Sequence, residues 1–207
     1  VGGLAAGAFT AALGAISSNI RGTVKEIAAM GDEAKRSGLG LKAFQEWSFV
    51  AQQNRVSLDA LVDGFKELSL RADEWIVTGG GAAAEAFQRL GFSAVDLKER
   101  LKDPSALMLE IIGRLQGLDQ AARIRITDEL FGGTGGEQFV QLIDQGEAGL
   151  RRTIDRAHEL GRVMDEAAIA KASELDQKWN ELADRVETFA KRAALALADL
   201  PFAVVED

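Results

Sequence analysis

Ser57-Leu58-Asp59-Ala60-Leu61-Val62-Asp63-Gly64-Phe65-Lys66-Glu67-Leu68-Ser69-Leu70-Arg71-Ala72-Asp73-Glu74-Trp75 is the stretch whose reading decides the fold class. Its apolar residues Leu58, Leu61, Val62, Phe65, Leu68 and Ala72 recur at spacings of three and four, the helical period, rather than at the spacing of two that a half-buried strand would show. Ser57 is a residue type that caps a helix by accepting from the free N–H groups of the first turn. Asp59 and Asp63 then lie near the positive end of the helix macrodipole.

Working outward, Leu41 to Arg55 places Phe44, Trp47, Val50 and Ala51 on one face, which belongs in a core. Gly38 and Gly40 stop the helix before it, which runs from Ala5 to Lys35 and becomes charged after Arg21. Downstream, Gly79-Gly80-Gly81 breaks the chain, and Ala82 to Leu90 is a short helix ended by Gly91, with Ser93 capping the next turn. Asp103-Pro104-Ser105 opens a helix through Leu115, because a proline in the first turn loses no needed N–H. Ala121 to Phe131 follows, then a tight loop at Gly132-Gly133-Thr134-Gly135-Gly136, then Glu137 to Asp144, stopped by Gly146. From Val163 to about Leu200 neither glycine nor proline interrupts the chain. There Ala168, Ala172, Leu175, Trp179, Leu182, Val186, Phe189, Ala193 and Ala196 alternate spacings of four and three, a heptad seam. A coiled coil and a long helix packed back on the bundle are equally open, since Trp179 and Phe189 are bulky for a two-stranded seam. The expected fold is all-α: a small-residue apolar helix within 1–37, a compact multi-helix bundle over 38–161 and a long helix over 162–207.

The 207 residues are 47% hydrophobic and 27% charged, which suits a folded globular chain. With 24 basic and 32 acidic residues the net charge is -8, which opposes binding along nucleic acid by neutralising its phosphates. The absence of Cys removes disulfides, thiolate nucleophiles and thiolate zinc sites, and one His with no Tyr thins the catalytic inventory further. Val1 in place of Met, and the apolar stretch from Leu200 to Val205, are what a piece of a longer protein would show. Val1 to Ile20 carries no charge and lacks the basic flank of a signal peptide. The run is near the length of a membrane span, and Gly3 and Gly7 form a GxxxG spacing. Its Ala and Gly gain little in hydrocarbon, so a small-residue packing helix is the expectation and membrane insertion the alternative.

Constellations for chemistry are thin. The glycine cluster before Glu137 lacks the Gly-Lys-Ser/Thr ending of a phosphate loop, and a carboxylate there repels phosphate. His158, with Asp155 one turn away, reads as part of a solvated helix face, having no nucleophile or second His beside it. Asp73 with Glu74, and Asp165 with Glu166, point apart on a helix and form no acid–base pair across a cleft. One His and scattered carboxylates give no metal-ligand spacing. Arg151-Arg152 and Lys191-Arg192 are balanced by nearby acids and read as helix solvation. No catalytic, cofactor-binding or metal-ligating residue is expected. The candidate interaction residues are Gly3, Gly7, Leu175, Trp179, Leu182, Val186 and Phe189.

Four ordered stretches carry a family resemblance: Gly38 to Leu61 (GLGLKAFQEWSFVAQQNRVSLDAL), Gly81 to Phe92 (GAAAEAFQRLGF), Leu130 to Glu137 (LFGGTGGE), and Leu142 to Gly146 leading to Ala157 through Gly161. In that order, over roughly residues 30 to 165, the chain resembles phage tail tape-measure proteins. The resemblance implies a mostly helical structural protein that lies inside the tail tube, sets its length during assembly and leaves it when the genome is ejected. It implies self-association within the tube, tail-tube and tail-tip partners and, in some members, contact with the host membrane. It also implies a place in the virion after synthesis in the bacterial cytoplasm. A segment so rich in glycine is no uniform ruler, so it reads as a globular helical region whose flanks join the ruler. The competing reading is a membrane-active helical protein inserting through Val1 to Ile20.

Overall fold

The structure, a computed structural model, describes residues 22–198. Among these the chain is all α, with nine helices in the order α1 (22–37), α2 (Leu41–Gln53), α3 (Leu58–Thr78), α4 (Ala84–Arg89), α5 (Ala94–Arg100), α6 (Pro104–Leu115), α7 (Gln120–Phe131), α8 (Gly133–Glu159) and α9 (Glu166–Ala198). The expected all-α class is what forms. Residues 29–166 make one unit, and the start of α1 with α9 belongs to a second.

The caps read from sequence at Ser57 and Ser93 act as capping chemistry requires, and Asp103 and Asp119 cap two further helices in the same way. The Ser57 hydroxyl accepts from the Ala60 N–H at 3.1 Å, Ser93 from Asp96 at 3.1 Å, Asp103 from Ala106 at 3.0 Å and Asp119 from Ala122 at 2.9 Å. Pro104 occupies the first turn of α6.

Within the 29–166 unit, α3 is the central element, packing against α2, α4, α5, α6, α7 and α8. Leu61, Val62, Phe65, Leu68 and Ala72 of its stripe are buried, whereas Leu58 at the helix start stays 44% exposed. Trp47 and Phe65, both fully buried, meet edge to face at 5.1 Å, and the Trp47 indole N–H donates to the Ser105 hydroxyl at 2.8 Å. Trp75 stacks on Phe87 at 5.6 Å, and Phe131 on Phe139 at 4.7 Å. Arg114 lies 3.9 Å over the Phe92 ring while its guanidinium donates to the Leu90 carbonyl and pairs with Glu110, which ties the α4–α5 turn to α6.

One glycine expectation is corrected. The cluster Gly132 to Gly136 is not a loop: Gly132 alone, at φ 76°, joins α7 to α8, and Gly133 onward is helical. Packing accompanies this, because a Cβ on Gly136 would lie 2.9 Å from the Thr127 carbonyl oxygen, so Gly136 lets the two helices cross closely. Gly146 stops a helix where expected: at φ 66° and ψ 173° it is non-helical and divides α8 into two helical stretches, the second running to Glu159, with the Gln116 side chain lying where a Cβ would stand.

Gly64 is the tightest point of α3. A Cβ there would lie 2.5 Å from the Phe139 ring, which is itself buried and stacked on Phe131. Gly64→Ala is therefore expected to destabilise the chain by about 1–3 kcal/mol through overpacking, outweighing the ~1 kcal/mol of helix propensity it gains. Urea denaturation checks this through a lowered midpoint at unchanged slope. The Ala122 backbone N–H holds the Asp119 carboxyl below its ordinary value of 3.8. A carboxyl titrating lower in the folded state stabilises above that value and loses its contribution as pH falls through the folded one. Asp119→Ala should thus lower the Tm at neutral pH, with the gap to the parent narrowing as the pH drops below 3.8.

Candidate functional site

α9 carries the seam. Along its 33 residues the apolar positions Leu175, Trp179 and Leu182 remain 49%, 37% and 58% exposed. The buried residues at its start are Ile169 and Ala172, so burial follows a line offset from the seam, which shares only Ala172 with it. Three large apolar groups in two helical turns, all reaching solvent, form a face that the described residues leave uncovered. Val186 and Phe189 continue the seam along the backbone of α9, but their side chains fall outside the described residues, as do Gly3 and Gly7 altogether. The coiled-coil expectation therefore rests on the pattern and on this exposed face.

Charge is ordered along the seam. The residue before each of Ala172, Trp179, Val186 and Ala193 is basic: Lys171, Lys178, Arg185 and Arg192. In heptad terms this is a uniformly basic g row, while the facing e row holds Ile169, Asp176, Ala183 and Ala190. The Lys178 ammonium pairs with Glu174 one turn back at 2.5 Å; that contact draws the Glu174 carboxyl below its ordinary range and raises Lys178. An antiparallel second helix would set the basic row against itself; a parallel one sets it against Asp176 and the small alanines.

A second surface lies in the 29–166 unit and was not legible as a site. Gln145, Gly149, Arg152, Arg156 and Leu160 recur at three and four along α8, and together with Phe49, Gln52 and Gln53 of α2, Thr153 and Arg162 they line a cleft of about 770 Å³. The pair Arg151-Arg152 divides its work. Both are exposed, as the helix-solvation reading has it; Arg151 pairs with Glu147 at 2.8 Å, whereas Arg152 lines the cleft. A neighbouring hollow of about 430 Å³ shares Phe49, Gln52 and Arg162 with this cleft and is otherwise lined mainly by Met30, Ala51, Val56 and Leu58.

The wall of this region is pinned by polar groups of α2. The buried Gln45 amide donates to the Met164 carbonyl at 2.9 Å and accepts from the Met164 N–H at 2.7 Å, holding the segment after α8 as a neighbouring strand would. His158 stands on an exposed helix face, as read, but its partner is not Asp155. Its Nε2 lies 2.6 Å from the Glu46 carboxylate, itself nearly buried, and Lys42 lies 3.8 Å from the same oxygen. The interaction is 112 residues long-range, which no local spacing announces. Among the described residues no group of His, Asp and Glu is placed to hold a metal ion, and no helix is long and apolar enough to cross a membrane.

Among the described residues neither the seam nor the cleft sets a nucleophile beside a base. No curated protein and no solved structure matches the chain. Residues 3–132, more than half of the 207, match the family model described as phage-related minor tail protein. On that match the chain belongs to the phage-related minor tail protein family.

Proposed function

We propose that this chain is a segment of a tail tape-measure protein, a structural element that sets tail-tube length during assembly and leaves the tube when the genome is ejected. The observation that carries the reading is α9: an uninterrupted helix of 33 residues with an exposed apolar seam, in a chain of a phage tail family. A helix converts residue count into length at about 1.5 Å per residue, so α9 alone accounts for roughly 50 Å of a ruler. Along the chain the bundle over 38–161 is preceded by α1 and followed by α9.

In this reading copies of the chain lie side by side in parallel through Leu175, Trp179, Leu182, Val186 and Phe189, with the basic row excluding the antiparallel arrangement. Gly3 and Gly7 would bring the N-terminal helices together in the same way. The partners are further copies, the tail tube and tail-tip proteins, and the place is the virion after synthesis in the bacterial cytoplasm. The segment works without catalysis, cofactor or nucleic-acid recognition.

Two experiments test this. In a phage whose tail carries the protein, in-frame duplication of residues 166–198 should lengthen the tail by about 50 Å per 33 added helical residues, measured by electron microscopy. A tail of unchanged length sinks the ruler. In solution, light scattering should find an oligomer whose mass falls to that of one chain on combining Leu175→Asp with Leu182→Asp. A parent chain that stays a monomer at every concentration removes the seam as an interface.

A further inference from the structure

We infer that the cleft between α2 and the second half of α8 is a docking site for an acidic, amphipathic peptide segment of a different protein. The inference does not depend on the ruler reading. The first observation is charge. In a chain of net charge -8, the cleft is lined by Arg152, Arg156 and Arg162, and no carboxylate lies among its lining residues. Arg156 pairs with Glu159 at 2.8 Å, on a wholly exposed pair that exchanges partners at little cost. Arg152 and Arg162 have no ion pair among the described residues, so their guanidinium groups face the cleft uncommitted.

The second observation is what surrounds the arginines. Gln52 and Gln53 present side-chain amides, which donate to and accept from a peptide main chain equally well. At one end the cleft shares Phe49, Gln52 and Arg162 with the hollow of Met30, Val56 and Leu58; at the other stands Leu160, 48% exposed. Exposed aliphatic groups flanking a basic, carboxylate-free cleft fit a ligand that carries aliphatic side chains and carboxylates on one strand. Arginine suits the carboxylates because its planar fork donates two parallel N–H bonds to their oxygens.

Nucleic acid fits less well. The net negative charge of the chain repels it, the aliphatic hollow offers nothing to a phosphate backbone, and Phe49 is the one aromatic ring in the lining. A second copy also fits less well. On α3 the row Asp59, Asp63 and Glu67 shares its hollow with Arg71, which already pairs with Glu67 at 3.2 Å.

The test uses the full chain and a short fluorescein-labelled peptide in which Leu alternates with Glu, followed by fluorescence anisotropy. Binding should weaken by about tenfold or more on combining Arg152→Glu with Arg162→Glu, and should weaken with added salt. Arg151→Glu, a charge reversal on the neighbouring residue outside the cleft, should leave it nearly unchanged. A matched peptide with Gln in place of Glu should bind at least several-fold more weakly. Circular dichroism on each variant confirms that these exposed substitutions keep the helices. The proposal is overturned by equal loss in the Arg151 and Arg152/Arg162 variants, by a single-stranded oligodeoxynucleotide of equal charge competing better than the peptide, or by the parent's self-association disappearing with Arg152→Glu and Arg162→Glu.

Discussion

The close approach of α3 to α8 at Gly64 is the constraint on which the rest of the 29–166 unit depends. With no Cβ at Gly64, the Phe139 ring rests on the α3 backbone and stacks on Phe131, the last residue of α7. Phe65, the next residue of α3, turns to the other side and meets Trp47 of α2 edge to face. One helix thus buries aromatic packing on two sides, and this removes from water the large apolar surfaces that dominate folding free energy. Gly136 repeats the device where α8 begins against α7, so glycine here serves packing more than turning.

That packing fixes the surfaces. Because α8 is held on α3 and α7 through its first half, its second half, after the kink at Gly146, lies along α2 and opens the cleft of Arg152 and Arg156. The buried Gln45 and Glu46 on α2 hold Met164 and His158, so the segment leaving α8 is positioned by polar contacts that would be costly to leave unmade. The long helix α9 stands under different rules. Its apolar pattern exceeds what the described residues cover, since Leu175, Trp179 and Leu182 remain exposed.

How far the sequence could be read follows from what each feature depends on. Ser57, Ser93, Asp103 and Asp119 cap helices through contacts three residues away, and a contact of that range is written in the sequence itself. The α3 stripe was legible for the same reason, save Leu58, whose position at the helix start leaves it at the surface. The glycine cluster misled because glycine permits both a turn and a close crossing, and only the neighbouring helix selects between them. His158 lies on an exposed face as read, but its partner, Glu46, lies 112 residues away and no local spacing announces it. The arginine stripe of α8 had the right periodicity, but polar residues at helical spacing look like any solvated face until a second helix walls them in.

The sequence by itself determined the all-α class, the helix caps, the central stripe of α3 and the unbroken length of α9, because periodicity and capping are local physical chemistry. It also determined the order of charge along the α9 seam. Only the tertiary structure decided that Gly132 turns while Gly136 packs, that a second helix resumes after Gly146, that His158 belongs to Glu46, and that Arg152 and Arg151 face different surroundings. These outcomes depend on which groups from distant parts of the chain come within a few ångströms of one another. That is set by the burial of whole helix faces, a property no single segment possesses.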